Sequence, residues 1–563
     1  MNIERRQSSD PSASNFIRRS KHRSVVLGNF VYIDGGALSQ YIDGNNDTEI
    51  LRDNNQTLFI DMSTSWTNRT VQIQTIDKGD APSFDNPGLW PDGNSTIYLF
   101  SGAVSAARNI KPPETALWKL TIGTSGHGNW SKETPSNSNE LDRYTRTNDG
   151  LVATSKDTGY VLGGQSSNLT DPNLTMDPNA SYAGYPVPGL VSYNWTQRQW
   201  TNESATGYTT YGTALLGQMH YVPAFGRDGF LFMFGGNALT LAADSQKPQK
   251  LDFTNITMYE PTEKRWYSQV TTGDRPSPRT FFCVVGAQGK NNTYEIFIMG
   301  GYYDFSDGVL DDIYILSLPG FHWFKVPTTT GSPRCVHTCN VVGKRQMLVI
   351  GGIGKPWPAG WEDPDPWVRG LGIFDMTQLS WSSGYDADAA EYESPEIVQE
   401  WYRNGNYDDG AGLNDEIRTL FAIPNSNLES GSSNGNKNNS AIIGGTVGGA
   451  VVLTLLAGLA WLVIRRRNKN SAQINQPSEL SDGQGNVPGS KRGAHAEVDG
   501  EEIIELPTER VLEMPSNEVH ELSPEAKISE MPPNEVHELP SETKALEMPS
   551  NEAHKLPIKK DEP

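Results

Sequence analysis

Six times between residues 31 and 352 a short apolar run ends in a pair of small residues, and a tryptophan follows each pair. The pairs are Gly35-Gly36, Ser101-Gly102, Gly163-Gly164, Gly235-Gly236, Gly300-Gly301 and Gly351-Gly352. Their second members fall at 36, 102, 164, 236, 301 and 352, so the spacings are 66, 62, 72, 65 and 51. The tryptophans are Trp66, Trp130, Trp200, Trp266, Trp323 and Trp381. In four units an aromatic or aliphatic residue precedes the tryptophan by seven positions: Tyr193, Tyr259, Leu316 and Phe374. Asp61 lies one residue closer to Trp66 than the pattern, and the unit ending at Trp130 is looser.

Short β-rich runs bounded by Gly read as strands. A Gly pair suits a strand end where the backbone packs without a Cβ or takes φ > 0. The tryptophan is large enough to fill the space between neighbouring units. One such sheet cannot bury its own faces, so repeated units must stack radially.

This pattern of Gly doublet, following aromatic and spaced Trp resembles the kelch repeat, from about Ser24 to Trp381. The resemblance implies an all-β fold, a six-bladed β-propeller with four antiparallel strands per blade. The propeller is expected over residues 24–424, with Tyr392 to Trp401 as a helical trailer, after a basic disordered leader at 1–23.

Residues 442–464 form an uncharged run of 23, long enough to cross ~30 Å of hydrocarbon as a helix. Arg465, Arg466 and Arg467 follow at once, which places that flank in the cytosol. Gly444-Gly448 and Gly445-Gly449 are overlapping G-x-x-x-G pairs, so a homodimer through this helix is expected. Residues 425–441 read as a polar stalk. Residues 465–563 carry 12 Lys+Arg, 20 Asp+Glu, 11 Pro and no aromatic residue, and read as a disordered acidic tail. A 17-residue repeat starts at Glu513, Glu530 and Glu547 within it, either a duplicated low-complexity tract or a multivalent docking tail for a cytosolic protein. The layout looks like that of filamentous-fungal kelch proteins described as cell-wall-anchored or galactose-oxidase-like.

Thirteen Asn-X-Ser/Thr sequons all precede the span: Asn46, Asn55, Asn68, Asn94, Asn129, Asn168, Asn173, Asn179, Asn194, Asn202, Asn255, Asn291 and Asn438. With the arginine flank they favour a propeller outside and a tail inside, at the plasma membrane or in the secretory pathway. The first 24 residues include no apolar run, so no signal peptide is visible. Two readings follow: an export signal encoded upstream, or a cytosolic propeller tethered to a membrane.

A formal charge of −21 argues against nucleic-acid partners. Three Cys in 563 residues exclude a disulfide framework. A copper-radical oxidase of galactose-oxidase type would need two His, two Tyr and a Cys crosslinked to a Tyr. His22, His127, His220, His322 and His337 are scattered along the chain, and no H-E-x-x-H or P-loop occurs. The expectation is therefore a non-enzymatic binding module with no cofactor and no metal. Cys335 and Cys339, four apart in one strand, stand about 13 Å apart and too far to bridge, whereas Cys283 and Cys339 on equivalent inner strands of adjacent units form the one pairing to entertain, against three buried thiols.

Connections after the doublets are long in units one, three, four and six, and in a kelch propeller they gather on one face. The sixth holds Trp357, Trp361 and Trp367 among acidic residues. These tryptophans either anchor a protein or wall-polysaccharide partner or pack the loop down.

Overall fold

The computed structural model describes residues 11–42, 48–105, 110–175, 184–240, 248–303, 308–329, 331–355, 359–407 and 412–422. The expected stalk, span and acidic tail lie outside these residues. Among the described residues no helix is long and apolar enough to cross a membrane.

Six blades of four antiparallel strands follow one another in sequence, the fifth extended at its outer edge by Thr272–Gly273 in parallel with His322–Trp323. Blade 1 is Arg23–Leu27, Phe30–Asp34, Gln56–Asp61 and Ile73–Asp77. Blade 2 is Gly88–Pro91, Thr96–Phe100, Trp118–Ile122 and Gly128–Lys132. Blade 3 is Leu151–Thr154, Thr158–Leu162, Leu190–Asn194 and Gln199–Glu203. Blade 4 is Gln218–Val222, Phe230–Phe234, Asn255–Glu260 and Arg265–Val270. Blade 5 is Cys283–Gln288, Tyr294–Met299, Ile313–Leu318 and His322–Lys325. Blade 6 is Thr338–Val342, Gln346–Ile350, Leu371–Asp375 and Ser380–Ser382. The first strand of each blade is the inner one. Each inner strand touches the next around the ring, and the sixth returns to the first.

The seven-residue spacing before Trp is a cross-strand register. Tyr193 pairs with Trp200, Tyr259 with Trp266, Leu316 with Trp323 and Phe374 with Trp381 across the third and outer strands. In blade 2, Leu120 takes that place opposite Trp130. The rings then reach the preceding blade: Trp200 lies 4.5 Å from Phe100 and Trp323 lies 5.6 Å from Phe253 between ring centroids. Trp66 departs from the expected role. It is not on an outer strand but in a short ladder with Gly384–Tyr385, which follows blade 6.

Each doublet is the seam between two blades. The amide of its second residue donates to a carbonyl of the segment entering the next blade. Gly36 bonds Phe84, Gly102 bonds Thr147, Gly164 bonds Ala214, Gly236 bonds Arg279 and Gly301 bonds Arg334, at 2.7–2.9 Å. Gly352 bonds Arg19 and closes the circle. All twelve doublet residues have positive φ, including Ser101 at 70°. A Cβ on Gly35 would stand 2.1 Å from the Phe84 carbonyl oxygen. That is why Gly recurs there.

The expected disordered leader is corrected from Phe16 onward. Phe16–Ser20 is a fully buried strand that pairs with Ala37–Tyr41. Its Arg18 and Arg19 are 2% and 1% exposed. Arg18 meets the buried carboxylate of Asp365 at 3.4 Å and donates from Nε to the Asp363 carbonyl at 2.6 Å. Arg18, read as part of a basic disordered leader, is held by the blade 6 loop, and the Arg19 guanidinium lies over the Phe16 ring.

The trailer is also shifted. Its helix is Glu396–Arg403, and a second helix, Asp415–Ala422, follows. Phe421 packs on Phe225, Phe230 and Phe321, and Trp401 stacks on His322 at 4.6 Å.

Candidate functional site

Strand order fixes which connections share a face. In an antiparallel meander, the second-to-third and outer-to-inner connections emerge together. One face therefore carries every seam and every post-doublet insertion. Four insertions build structure of their own: Ala37–Tyr41 with Thr48–Asp53, Gln165–Ser166 with Tyr185–Pro186, Asn237–Ala238 with Gln249–Lys250, and the short helix Ala359–Glu362. The helices that follow blade 6 pack instead on Phe225 and Phe321, in turns of the opposite face.

At the centre of the seam face six residues hold left-handed backbone: Lys21, Asn86, Asp149, Leu216, Phe281 and Val336, with φ between 48° and 62°. They are linked amide to carbonyl: Lys21 to Val336, Val336 to Phe281, Phe281 to Leu216, Leu216 to Asp149, and Asn86 to Lys21. Between Asn86 and Asp149 a side-chain bond of 2.6 Å spans the gap. This ring constricts one end of the central channel. Behind it lies a cavity of about 30 Å³ reached by His22, Arg23 and His337. A larger cavity of about 180 Å³ lies between the inner strands, lined among others by Met219, His220, Cys283, His337, Cys339 and Asn340.

Three of the five histidines read as scattered, His22, His220 and His337, converge here, whereas His127 packs on Phe59 and His322 on Trp401. His22 Nε2 lies 2.9 Å from Thr338 Oγ1, and His220 Nε2 lies 2.9 Å from the Tyr294 hydroxyl. Burial, with the charge of Arg19 adding to it, holds the His22 imidazole well below its usual pKa. Burial lowers His220 to about 4. Burial and the charge of Arg334 lower His337 to about 3. All three are neutral imidazoles at physiological pH. Arg23 is pulled down to about 10 by burial, and Asp149 opposes that shift.

Cys283 and Cys339 are disulfide-bonded, with Cα atoms 5.7 Å apart, and so tie the inner strands of blades 5 and 6. Cys335 is a buried free thiol whose pKa burial pushes up to about 12. His337 joins the bonded pair: its ligand atom and the two Sγ atoms all lie within 4.8 Å of one another. The two cysteines come from inner strands 56 residues apart, and His337 immediately precedes the second of these strands. One signal was present in the sequence. Arg19-Ser20-Lys21-His22 repeats the arrangement of Arg334-Cys335-Val336-His337, which marks both as entries to an inner strand.

Of the three tryptophans of the blade 6 loop, Trp361 and Trp367 do not form an exposed site. Trp357 lies outside the described residues. Trp361 is 2% exposed and packs with Ala37, Cys335 and Ile353. Trp367 is half-buried, with the Arg334 guanidinium 3.5 Å from its ring centre and Trp381 at 5.0 Å. The loop is stapled down because Asp365 draws in both Arg334 and Arg18. Packing, not presentation, is the role of Trp361 and Trp367.

Of the sequon asparagines, eight are exposed: Asn55, Asn94, Asn129, Asn168, Asn173, Asn202, Asn255 and Asn291. Asn68 is buried and its amide donates to the Leu371 carbonyl at 3.3 Å. Asn194 is half-buried and donates to Asp157 at 2.9 Å. Asn46, Asn179 and Asn438 lie outside the described residues.

Residues 219–392, blades 4 to 6, match the family model described as the KLHDC2/KLHL20/DRC7 Kelch-repeats domain. Kelch repeats are thus matched in three of the six blades. The chain is also similar to a "Kelch repeat-containing protein" of Arthroderma benhamiae, 23% identical over 413 residues. That alignment covers 67% of this chain and 58% of the relative's length.

Proposed function

We propose that this chain is a non-enzymatic kelch scaffold that binds a protein partner through the seam face of its propeller. The observation that carries the reading is the division of labour between faces. Four structured insertions crowd the seam face, while the C-terminal helices cover turns of the other. Variable loops on a rigid ring are the usual place for recognition. Kelch propellers generally bind protein partners. In the proposed arrangement the propeller stands outside a membrane on the 425–441 stalk, residues 442–464 span it, and the acidic tail meets a cytosolic protein.

The test is crosslinking with mass spectrometry on the full chain in native membranes. Partner crosslinks should fall on the insertions after Ser166 and Asn237. Crosslinks confined to the face of Phe225 and Phe321 would overturn the surface, and binding to a wall-glycan array without any protein crosslink would change the partner class. Glycosidase treatment should shift the gel mobility of the same preparation, with glycans on the exposed asparagines and none on Asn68. A protease-protected propeller without a shift would overturn the topology.

A further inference from the structure

The Cys283–Cys339 bond sits in an unusual setting for a structural crosslink. His337 is 5% exposed, and neither ring nitrogen makes a hydrogen bond. The Met299 main chain lies near enough to favour the charged imidazole slightly, without a bond of proper geometry. A buried, unpartnered imidazole is costly unless something uses it. What lies against it is the pair of sulfur atoms, all within 4.8 Å. Cys339 is only half-buried, and the trio borders the cavity of about 180 Å³.

We propose that Cys283, Cys339 and His337 form a redox-gated metal site: a disulfide when oxidised, and a three-ligand site for a zinc-class divalent cation when reduced. The inference is independent of the partner-binding reading. Two thiolates and a neutral imidazole are the donor set that such a borderline-soft cation prefers. Two thiolates also cancel the charge of a divalent ion, so the site buries no net charge beside Arg23 and Arg334. Sulfur atoms on one tetrahedral zinc stand on the order of 3.8 Å apart, given ~2.3 Å Zn–S bonds. Strands whose Cα atoms are 5.7 Å apart accommodate that separation by side-chain rotation. The fourth position opens to the cavity, where water completes the shell.

The chemistry balances with a dithiol as reductant. It passes two electrons and two protons to the Cys283–Cys339 bond and closes to its own disulfide. The protein S–S bond breaks, and each Sγ takes one proton. The cation then displaces both protons to solvent and binds both Sγ atoms and one imidazole nitrogen. A small-molecule disulfide reverses the sequence: it accepts two electrons from the two thiolates and two protons from solvent to leave as its dithiol, while the Sγ–Sγ bond of Cys283–Cys339 closes and the ion is released.

The experiment uses the full-length chain, reduced, freed of reductant under argon and titrated with Co²⁺. Thiolate ligation should give a sulfur-to-cobalt charge-transfer band saturating at one equivalent, and Zn²⁺ should displace it. The disulfide form should bind none. His337→Gln should weaken Co²⁺ at least tenfold with an unchanged melting temperature, and Cys335→Ser should bind as the parent does. In the unmutated chain, Zn²⁺ should protect Cys283 and Cys339 from alkylation. This last readout stands even if a variant fails to fold. Absence of the band in the reduced chain, binding by His337→Gln equal to the parent, or alkylation unaffected by Zn²⁺ would each overturn the proposal.

Discussion

The amide of Gly352 donates to the carbonyl oxygen of Arg19 at 2.7 Å, joining the last blade to the strand that precedes the first. The same bond is made at the other five seams, so the ring closes by repeating its ordinary joint rather than by sharing a blade between the chain ends. Residues after blade 6 add a second clasp, where Gly384–Tyr385 pairs with Trp66–Thr67.

Closure predicts a position-dependent cost for alanine. Gly351 has φ of 66°, and a Cβ there would stand 2.3 Å from the Arg19 carbonyl oxygen. Gly405 has φ of 69° with nothing within 4 Å. Gly405→Ala should therefore cost only the left-handed penalty, about 1 kcal/mol. Gly351→Ala adds displacement of the N-terminal strand and should cost roughly 3 kcal/mol or more. Urea unfolding of the two variants measures the difference, and equal costs would show that the Arg19 contact contributes nothing to closure.

The repeat was legible because it is written in residue types that have few substitutes. Only Gly fits beside a neighbouring carbonyl at positive φ, and the Trp register is a fixed hairpin count, so doublets and Trp disclosed blade number. The N-terminal strand was not legible, because Arg18 looks solvated until Asp363 and Asp365, more than 340 residues away, are brought to it. The Cys283–Cys339 bond was legible from two equivalent inner strands, but the convergence of His22 and His220 on the same channel was not, because they lie far from His337 in the chain. The acidic Trp loop misled because exposed and stapled loops have one composition. Which of the two it is depends on the burial of Asp365.

The second seam tests the doublet rule by its exception. Ser101 occupies the place of the first Gly at φ of 70°, and its hydroxyl donates to the Thr147 carbonyl, the acceptor that faces Gly elsewhere. Ser101→Ala keeps the strain and removes the bond, and should cost about 1–2 kcal/mol. Ser101→Gly removes both, so the two effects offset to within about 1 kcal/mol. Chemical denaturation should rank the alanine variant lowest. A glycine variant less stable than alanine would refute the offset.

Stability should also carry the signature of Glu295. This fully buried carboxyl accepts from Ser317 at 3.2 Å and from Tyr392 and Ser394 at 3.0 Å, docking the segment after blade 6 onto blade 5. Burial raises its pKa, and the hydrogen bonds oppose but do not cancel that shift. A carboxyl raised on folding contributes stability that is full below its unfolded value and lost as pH rises through its folded value. Glu295→Gln should therefore flatten the stability loss between acid and neutral pH, read from urea midpoints at several pH values. An unchanged slope would assign that loss to other carboxyls, such as Asp85 or Asp149.

Blade 1 holds a buried ion pair whose worth depends on both partners. Lys78 Nζ lies 2.6 Å from both carboxylate oxygens of Asp34, and the side chains are 3% and 1% exposed. Thr57 donates to Asp34 at 2.5 Å, and Trp130 of blade 2 donates to Thr57 at 3.0 Å while its ring faces the Lys78 ammonium at 4.6 Å. The pair thus joins three strand ends of blade 1 to the tryptophan of blade 2. Burial alone pulls the Lys78 ammonium down, and Asp34 restores part of the shift. Lys78→Met leaves a buried carboxylate without a counter-charge and should destabilise by about 3–5 kcal/mol. Replacing both residues, as Asp34→Leu with Lys78→Met, removes the stranded charge and should recover at least half of that loss. The double-mutant cycle separates the pair's interaction from its desolvation. A single variant costing under about 1 kcal/mol would mean that water reaches Asp34 once the ammonium is gone, and the seam between blades 1 and 2 would then rest on Trp130 packing alone.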